Sequence, residues 1–308
     1  MENNIFFYAK ASLVFLLFIS QVNTVFSNDK KSHLPNIIYV FADDLGYREL
    51  GCYGQKHIKT PHIDRIAKEG IKFTQHYSGN PVCAPSRCVL MTGKHNGHSY
   101  FRNNSKKINL PEETFTLAGM LQNKGYKTAC IGKWGLGLEN TSGHPNKQGF
   151  DFFYGYLNQS RAHQYYPTYL WKNNQKDFLN NQFFRAHQHF PLDKDPFNPA
   201  DYEQYQGKEY SIEKMGEEAI GFIERNKKAP IFLFLPFTTP HACLQVPTSS
   251  LNKYNFPEIP YVPRKGKPEG IPYLPHYAPR AAYAAMITHM DMWVGLIMDK
   301  IKELGLDD

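Results

Sequence analysis

Two nearly continuous apolar runs, "NIIYVFADD" at 36–44 and "APIFLFLPFTTPH" at 229–241, constrain this chain more than any other feature. Runs of Ile, Phe, Leu, Val and Tyr without polar alternation suit strands buried on both faces, as in a parallel sheet covered by helices. The first run ends in Asp43 and Asp44, which places that pair at the carboxyl end of a central strand. The second ends just before His241. A shorter run, "YKTACIG", leads into "GKWGLG" and Lys133. In open α/β sheets ligands bind at the carboxyl ends of the strands, so these terminal polar residues are the first candidates for a site.

Helical patterns alternate with the strands. "TPHIDRIAKEG" has Thr60 as cap, Pro61 at the first helical position and Gly70 as stop. "TFTLAGMLQNKG" places Leu117, Met120 and Leu121 on one face, with Gly125 closing it. The longest pattern, Ala281 to Leu304, repeats Met286, Ile287, Met290, Trp293, Val294, Ile297 and Ile301 at three-and-four spacing. Strand and helix alternation implies an α/β fold with a mixed, mostly parallel sheet flanked by helices. A crossover helix should lead into another strand, and none follows "LDD". Residues 28–308 therefore read as one domain incomplete at its C-terminal end, its last helix partly exposed. Residues 151–210, rich in aromatic and amide side chains without a period, and 247–279, with eight prolines, are expected to be long surface excursions.

The first 27 residues have another character. Lys10 precedes "ASLVFLLFIS", and Val25 and Ser27 stand three and one positions before a cleavage point, the pattern of a signal peptide. The apolar run is about ten residues, short of the roughly 20 that span a bilayer, and no other run was expected to reach that length. The mature chain is thus expected to be secreted or periplasmic, without a transmembrane segment. The net charge of +7 is scattered, with no basic stripe, which disfavours nucleic acid as a partner. Five cysteines, Cys52, Cys83, Cys88, Cys130 and Cys243, leave an odd thiol in an oxidising compartment.

"GNPVCAPSRCVLMTG" holds two of those cysteines. Their separation of five lacks the spacing of zinc pairs, and a bridge between them would have to close within a helical turn. With Pro85 in the first turn of a helix, Cys83 lies near free amide donors and the positive end of the dipole, and Arg87 adds a cation one turn on. That setting activates a nucleophile or holds an anion; a buried, inert cysteine is an equally good reading on chemistry alone. Asp43 and Asp44 can serve one site only where the strand ends and the backbone turns, at Leu45 and Gly46. There they suit calcium or magnesium, and a turn-capping pair suits the dipeptide as well.

"VCAPSRCVLMTG" resembles the signature of the sulfatase family, in which the cysteine of a Cys-x-Pro-Ser-Arg core is oxidised to formylglycine. The likeness extends through "NIIYVFADDLGY", "GCYGQKHIKTPHIDRIAKEGIKFTQHY", "IGKWGLG", "NKQGFDFFYGY" and "PIFLFLPFTTPH". It implies an alkaline-phosphatase-like fold. It also implies calcium, or magnesium, bound by Asp43, Asp44 and the modified Cys83, with Arg87 holding the aldehyde hydrate. Lys133 would contact the sulfate, and His241 would bind it or protonate the departing alcohol. In the family reaction one hydroxyl of the hydrate attacks sulfur, the alcohol leaves, and the second hydroxyl expels sulfate. The implied partners are an aryl or carbohydrate sulfate ester, small or oligosaccharide, and a formylglycine-generating or anaerobic maturation enzyme.

Two departures stand out. Many relatives carry a histidine two residues after the lysine, where this chain has Gly135; His163 of "QSRAHQYYP" is expected to approach the site instead. A later Asp-Asn pair that completes the metal site in relatives is absent. The alternatives are a phosphomonoester or phosphonate hydrolase of the same superfamily, and an inactive anion-binding or structural fragment.

Overall fold

The computed structural model describes residues 34–105, 109–257 and 273–307. The expected signal peptide, 1–27, lies outside them, as does 258–272 of the second proline-rich stretch. The chain divides after Pro35, and the fold described below belongs to the unit that starts at Asn36.

Its centre is a six-stranded sheet of β1 (Ile37–Asp43), β2 (Lys127–Lys133), β3 (Phe152–Tyr156), β4 (Tyr169–Lys172), β5 (Gln175–Phe178) and β6 (Ile231–Pro240). The spatial order is β1-β6-β2-β3-β4-β5. The first four are parallel, and β3, β4 and β5 pair antiparallel at one edge. This is the mixed, mostly parallel α/β sheet that the runs imply.

Alternation across β6 shows why its first seven residues, Ile231 to Phe237, are all apolar. Ile231, Leu233, Leu235 and Phe237 enter the core on one face, while Phe232 and Phe234 enter the core on the other. All ten residues of the strand are buried. On the first face lie α4 (Ser211–Asn226), α5 (Thr248–Leu251) and α6 (Pro279–Glu303); α2 (Cys83–Thr92) and α3 (Leu117–Asn123) cover the second; α1 (Pro61–Glu69) packs on α6.

Five expectations need correction. β1 is not central: among the described residues it pairs with β6 alone, so its side chains are half-buried until Asp43. Residues 151–210 are not one surface excursion, because they supply β3, β4 and β5 and a row of buried tyrosines. In α3 the buried residues are Ala118 and Leu121, whereas Met120 points outward. The apolar row of α6 is not left exposed: Met286, Ile287, Met290, Val294 and Ile297 are at most 2% accessible. Against expectation, α6 is long and apolar enough to cross a membrane, yet 72% of its most apolar stretch is buried inside the fold.

Candidate active site

Six of the seven residues singled out in the sequence gather at the carboxyl ends of β1, β2 and β6 and at the start of α2, and the seventh, His163, joins them from a short turn that follows β3. β1 carries an irregularity in its pairing between Phe41 and Asp43, the kind of local break that re-aims a side chain. Asp43 is thereby directed inward and buried. The turn that brings the second carboxylate round is made by Asp44 itself, with φ 60, rather than by Leu45 and Gly46. Asp44 Oδ2 then lies 3.4 Å from His241 Nε2.

Asp43 is the hub. Lys133 Nζ sits 2.6 Å from its Oδ2 and Arg87 Nη2 3.6 Å from the same oxygen. Burial raises the Asp43 pKa, but the charges of Lys133, Arg87 and His241 outweigh it and hold the carboxyl at about 2. Arg87 is fully buried, lies over the Phe41 ring and donates from Nη1 to the Lys133 carbonyl at 2.5 Å. Its Nε and Nη2 hydrogens have no hydrogen-bond partner. A buried guanidinium with unused donors, one of them loosely paired to a carboxylate that Lys133 already holds, is a site prepared for an anion.

Cys83 opens α2, with Val82 before it, so its Sγ stands at the positive end of the helix dipole. Ligand atoms of Asp43, Cys83 and His241 lie within 4.8 Å of one another. Burial raises the Cys83 pKa, yet the hydrogen bond with His241 and the charges of Lys133 and Arg87 bring it below the ordinary thiol value. Conversely, burial lowers His241, and its bond to Cys83 together with Asp43 lifts it above the usual imidazole range. His241 is held from behind, since its Nδ1 meets the Ala242 carbonyl and Tyr165 Oη donates to the Thr238 and His241 carbonyls at 2.6 Å.

His163 stacks on His241 with ring centroids 4.1 Å apart. Burial, then the charges of Lys133 and His241, push its pKa down to about 2, so it is a neutral imidazole. Its Nδ1 is 2.8 Å from His187 Nε2, and its own Nε2 is buried without a partner. Gly135, where relatives carry histidine, leaves room that Gln159 fills: a Cβ there would meet Gln159 Nε2 at 1.9 Å.

Sequence reasoning missed His187, Tyr273, Gln159 and Tyr165. Tyr273 lies against the rings of His163, His187 and His241. Only Gln159 and Tyr165 carried a signal, their closeness in sequence to His163. His187 and Tyr273 arrive from distant segments joined by one antiparallel bridge. All five cysteines are free thiols, Cys88 and Cys130 fully buried.

The donor set fits a divalent cation in part. Asp43 groups with Cys83 and His241, and Asp44 reaches His241 alone, but Ca2+ takes six to eight oxygens, and among the described residues Asp43 and Asp44 are the acids found there.

Comparison with known proteins follows the same lines. The family model described as Sulfatase matches residues 35–308. Human Arylsulfatase D is 40% identical over 162 residues, covering 48% of this chain and 27% of that protein. Mouse Arylsulfatase G is 27% identical over 310 residues, covering 94% of this chain and 53% of its own length. The crystal structure of Ps i-CgsB in complex with k-i-k-neocarrahexaose superposes with a TM-score of 0.67 at 27% identity, over 88% of this chain and 56% of that one. The sheet and its helices are the alkaline-phosphatase-like fold of these neighbours. The chain spans about half the length of these relatives or less. With the match running from the first strand through the last helix, the chain belongs to the sulfatase family.

Proposed function

We propose that this chain forms the anion-binding and bond-cleaving half of a sulfuric ester hydrolase acting on aryl or carbohydrate sulfates, exported from the cell by its leading segment. The observation that carries the reading is the buried cationic cage of Arg87, Lys133 and His241 around Asp43 and Cys83. A sulfate monoester brings one negative charge that repels an oxygen nucleophile, and preorganised cations remove that barrier. When present, formylglycine at position 83 supplies the nucleophilic oxygen, and calcium held by Asp43 and Asp44 withdraws charge from the ester oxygens.

The side chains do the rest. Arg87 offers its free Nε and Nη2 hydrogens to anionic oxygens. Lys133, fixed by Asp43 at 2.6 Å, stands in a water-poor pocket, where its attraction for an anion counts for more than in water. His241 Nε2 faces Asp44 at 3.4 Å and its ring hydrogen-bonds Cys83, which places it to pass a proton to a departing alkoxide. His163, neutral and stacked, closes the wall and fixes the plane of His241.

The test is to express the full chain with a formylglycine-generating or anaerobic maturation enzyme and to identify position 83 by mass spectrometry. Turnover of 4-nitrophenyl sulfate and 4-nitrophenyl phosphate is then compared. The expected outcome is an aldehyde at position 83 and a preference for the sulfate. An active protein with an intact thiol, or a phosphate preference, overturns the proposal.

A further inference from the structure

Next to the Cys83 pocket, a polar hollow is lined in part by Asn104, Asn109, Gln159 and His163. It adjoins the start of α2, because Asn104 Oδ1 accepts from the Ala84 amide at 3.0 Å. Three buried polar atoms at its wall, the acceptors Asn109 Oδ1 and Gln159 Oε1 and the ring nitrogen His163 Nε2, have no partner. Each such atom is costly unless something else supplies the hydrogen bond.

This hollow shares Leu157 and Asn158 with a second one of about 370 Å³, lined by Arg161, Gln164, Tyr169, Trp171 and Phe183. The second has a different chemistry. Arg161 lies 4.3 Å over the Tyr169 ring, and Lys176 lies 4.7 Å over Tyr169 and 5.7 Å over Trp171. Among the described residues neither cation makes an ion pair; the neighbouring acid, Asp177, accepts from Tyr154 Oη at 2.7 Å. Phe183 is 66% exposed. Aromatic faces thus orient two cations whose charge is uncompensated.

The two hollows follow the carboxyl edge of the sheet. Lys133 at the end of β2 pairs with Tyr156 of β3, and β3 pairs with β4. Two strand spacings separate the end of β2 from Tyr169, or roughly 10 Å, the length of about two sugar rings.

We infer that this edge is one extended cleft for a sulfated oligosaccharide. Resting on the proposed function, the scissile ester sits at Cys83, the ring bearing it fills the polar hollow, and a second sulfate further along the chain sits on Arg161 and Lys176. Hydroxyl groups of the first ring donate to Asn109 and Gln159 after small side-chain rotations. Trp171 and Phe183 meet the C–H face of a later ring. A flat apolar ester would leave both the orphaned acceptors and the two cations unsatisfied.

The experiment is calorimetric titration of the full chain with inorganic sulfate, galactose 4-sulfate, and tetrasaccharides of iota-carrageenan and of chondroitin 4-sulfate. At least one tetrasaccharide is expected to bind ten-fold or more tightly than the monosaccharide. The double variant R161A/K176A should bring that tetrasaccharide to the monosaccharide level, with the affinity for galactose 4-sulfate unchanged within two-fold. Tetrasaccharides that bind no better than the monosaccharide to the unmodified chain, or a double variant that weakens both alike, overturn the extended cleft while leaving the sulfate reading in place. Failure of sulfate and of every ester to bind would instead remove the sulfate reading and the cleft together.

Discussion

Arg87 and Lys133 both face Asp43, but their loss should read differently. Lys133 is fully buried and makes the 2.6 Å contact, so Lys133→Met strands a carboxylate that the more distant Arg87 only partly compensates. Breaking a buried pair from one side costs about 3 kcal/mol or more. Urea denaturation of Lys133→Met should show a loss of that size, and adding Asp43→Asn should recover a large part of it. Equal losses in the single and double variants would show that the lysine matters through packing. Arg87→Lys keeps a charge but loses the fork that leaves two hydrogens free for the ligand. Its turnover of 4-nitrophenyl sulfate should fall by about 10² to 10³, the usual effect of removing one preorganised donor, with a smaller change in stability than Lys133→Met.

Elements differ in how far their sequence betrays them. β2 and β6 were legible because both faces are buried, which forces a continuous apolar run. β1 shares that run, yet sits at an edge, since apolar continuity reports helices on both faces and says nothing of a neighbouring strand. β3 was hidden in an aromatic stretch whose tyrosines pack a core instead of alternating with polar residues. The catalytic candidates were legible because strand ends and a helix start localise them; His187 and Tyr273 were not, because only the tertiary bridge brings them to His163. α3 turned its Ala118 inward for a reason no periodicity carries: Gly149 presses on Gly119, where a Cβ on Gly149 would lie 2.2 Å from the Gly119 nitrogen. A similar close approach fixes α6. A Cβ on Gly216 of α4 would lie 2.0 Å from Trp293 Cε3, so the indole rests on bare backbone. Gly216→Ala gains about 1 kcal/mol in helix propensity but must displace a ring that is 8% exposed. Overpacking of this kind costs about 1–3 kcal/mol. The expected result is a net loss of stability with altered Trp293 fluorescence; a stabilised variant with unchanged emission would contradict this packing.

For the molecule as a whole, the buried histidines set its response to acid. Burial holds His276 and His289 at about 4 and, with nearby cations, His163 at about 2. All three have depressed pKa values, so their neutral forms fit the fold and their protonated forms do not. Above pH 6.5 they are neutral in both folded and unfolded chains and leave stability unchanged. As pH falls below 6.5 the unfolded chain takes up protons that the fold refuses, and stability is lost until the folded values are reached. At pH 5 this amounts to about 2 kcal/mol per histidine. His241 acts in the opposite sense: its raised pKa lets the fold bind a proton more readily than the unfolded chain, which offsets part of the loss. Burial lowers His144 in the same direction, so four groups against one leave a net destabilisation that begins well above the carboxylate range. Urea midpoints should therefore fall from pH 7.5 to pH 5. His289, whose Nδ1 is 2.9 Å from Ser250 Oγ, provides the control, because glutamine can keep a hydrogen bond there and cannot titrate. His289→Gln should flatten the slope by roughly a quarter, in proportion to one depressed group of four. A midpoint that stays level from pH 7.5 to pH 5 would mean that the fold accepts these protons, and the dry surroundings of His276 and His289 would have to be abandoned.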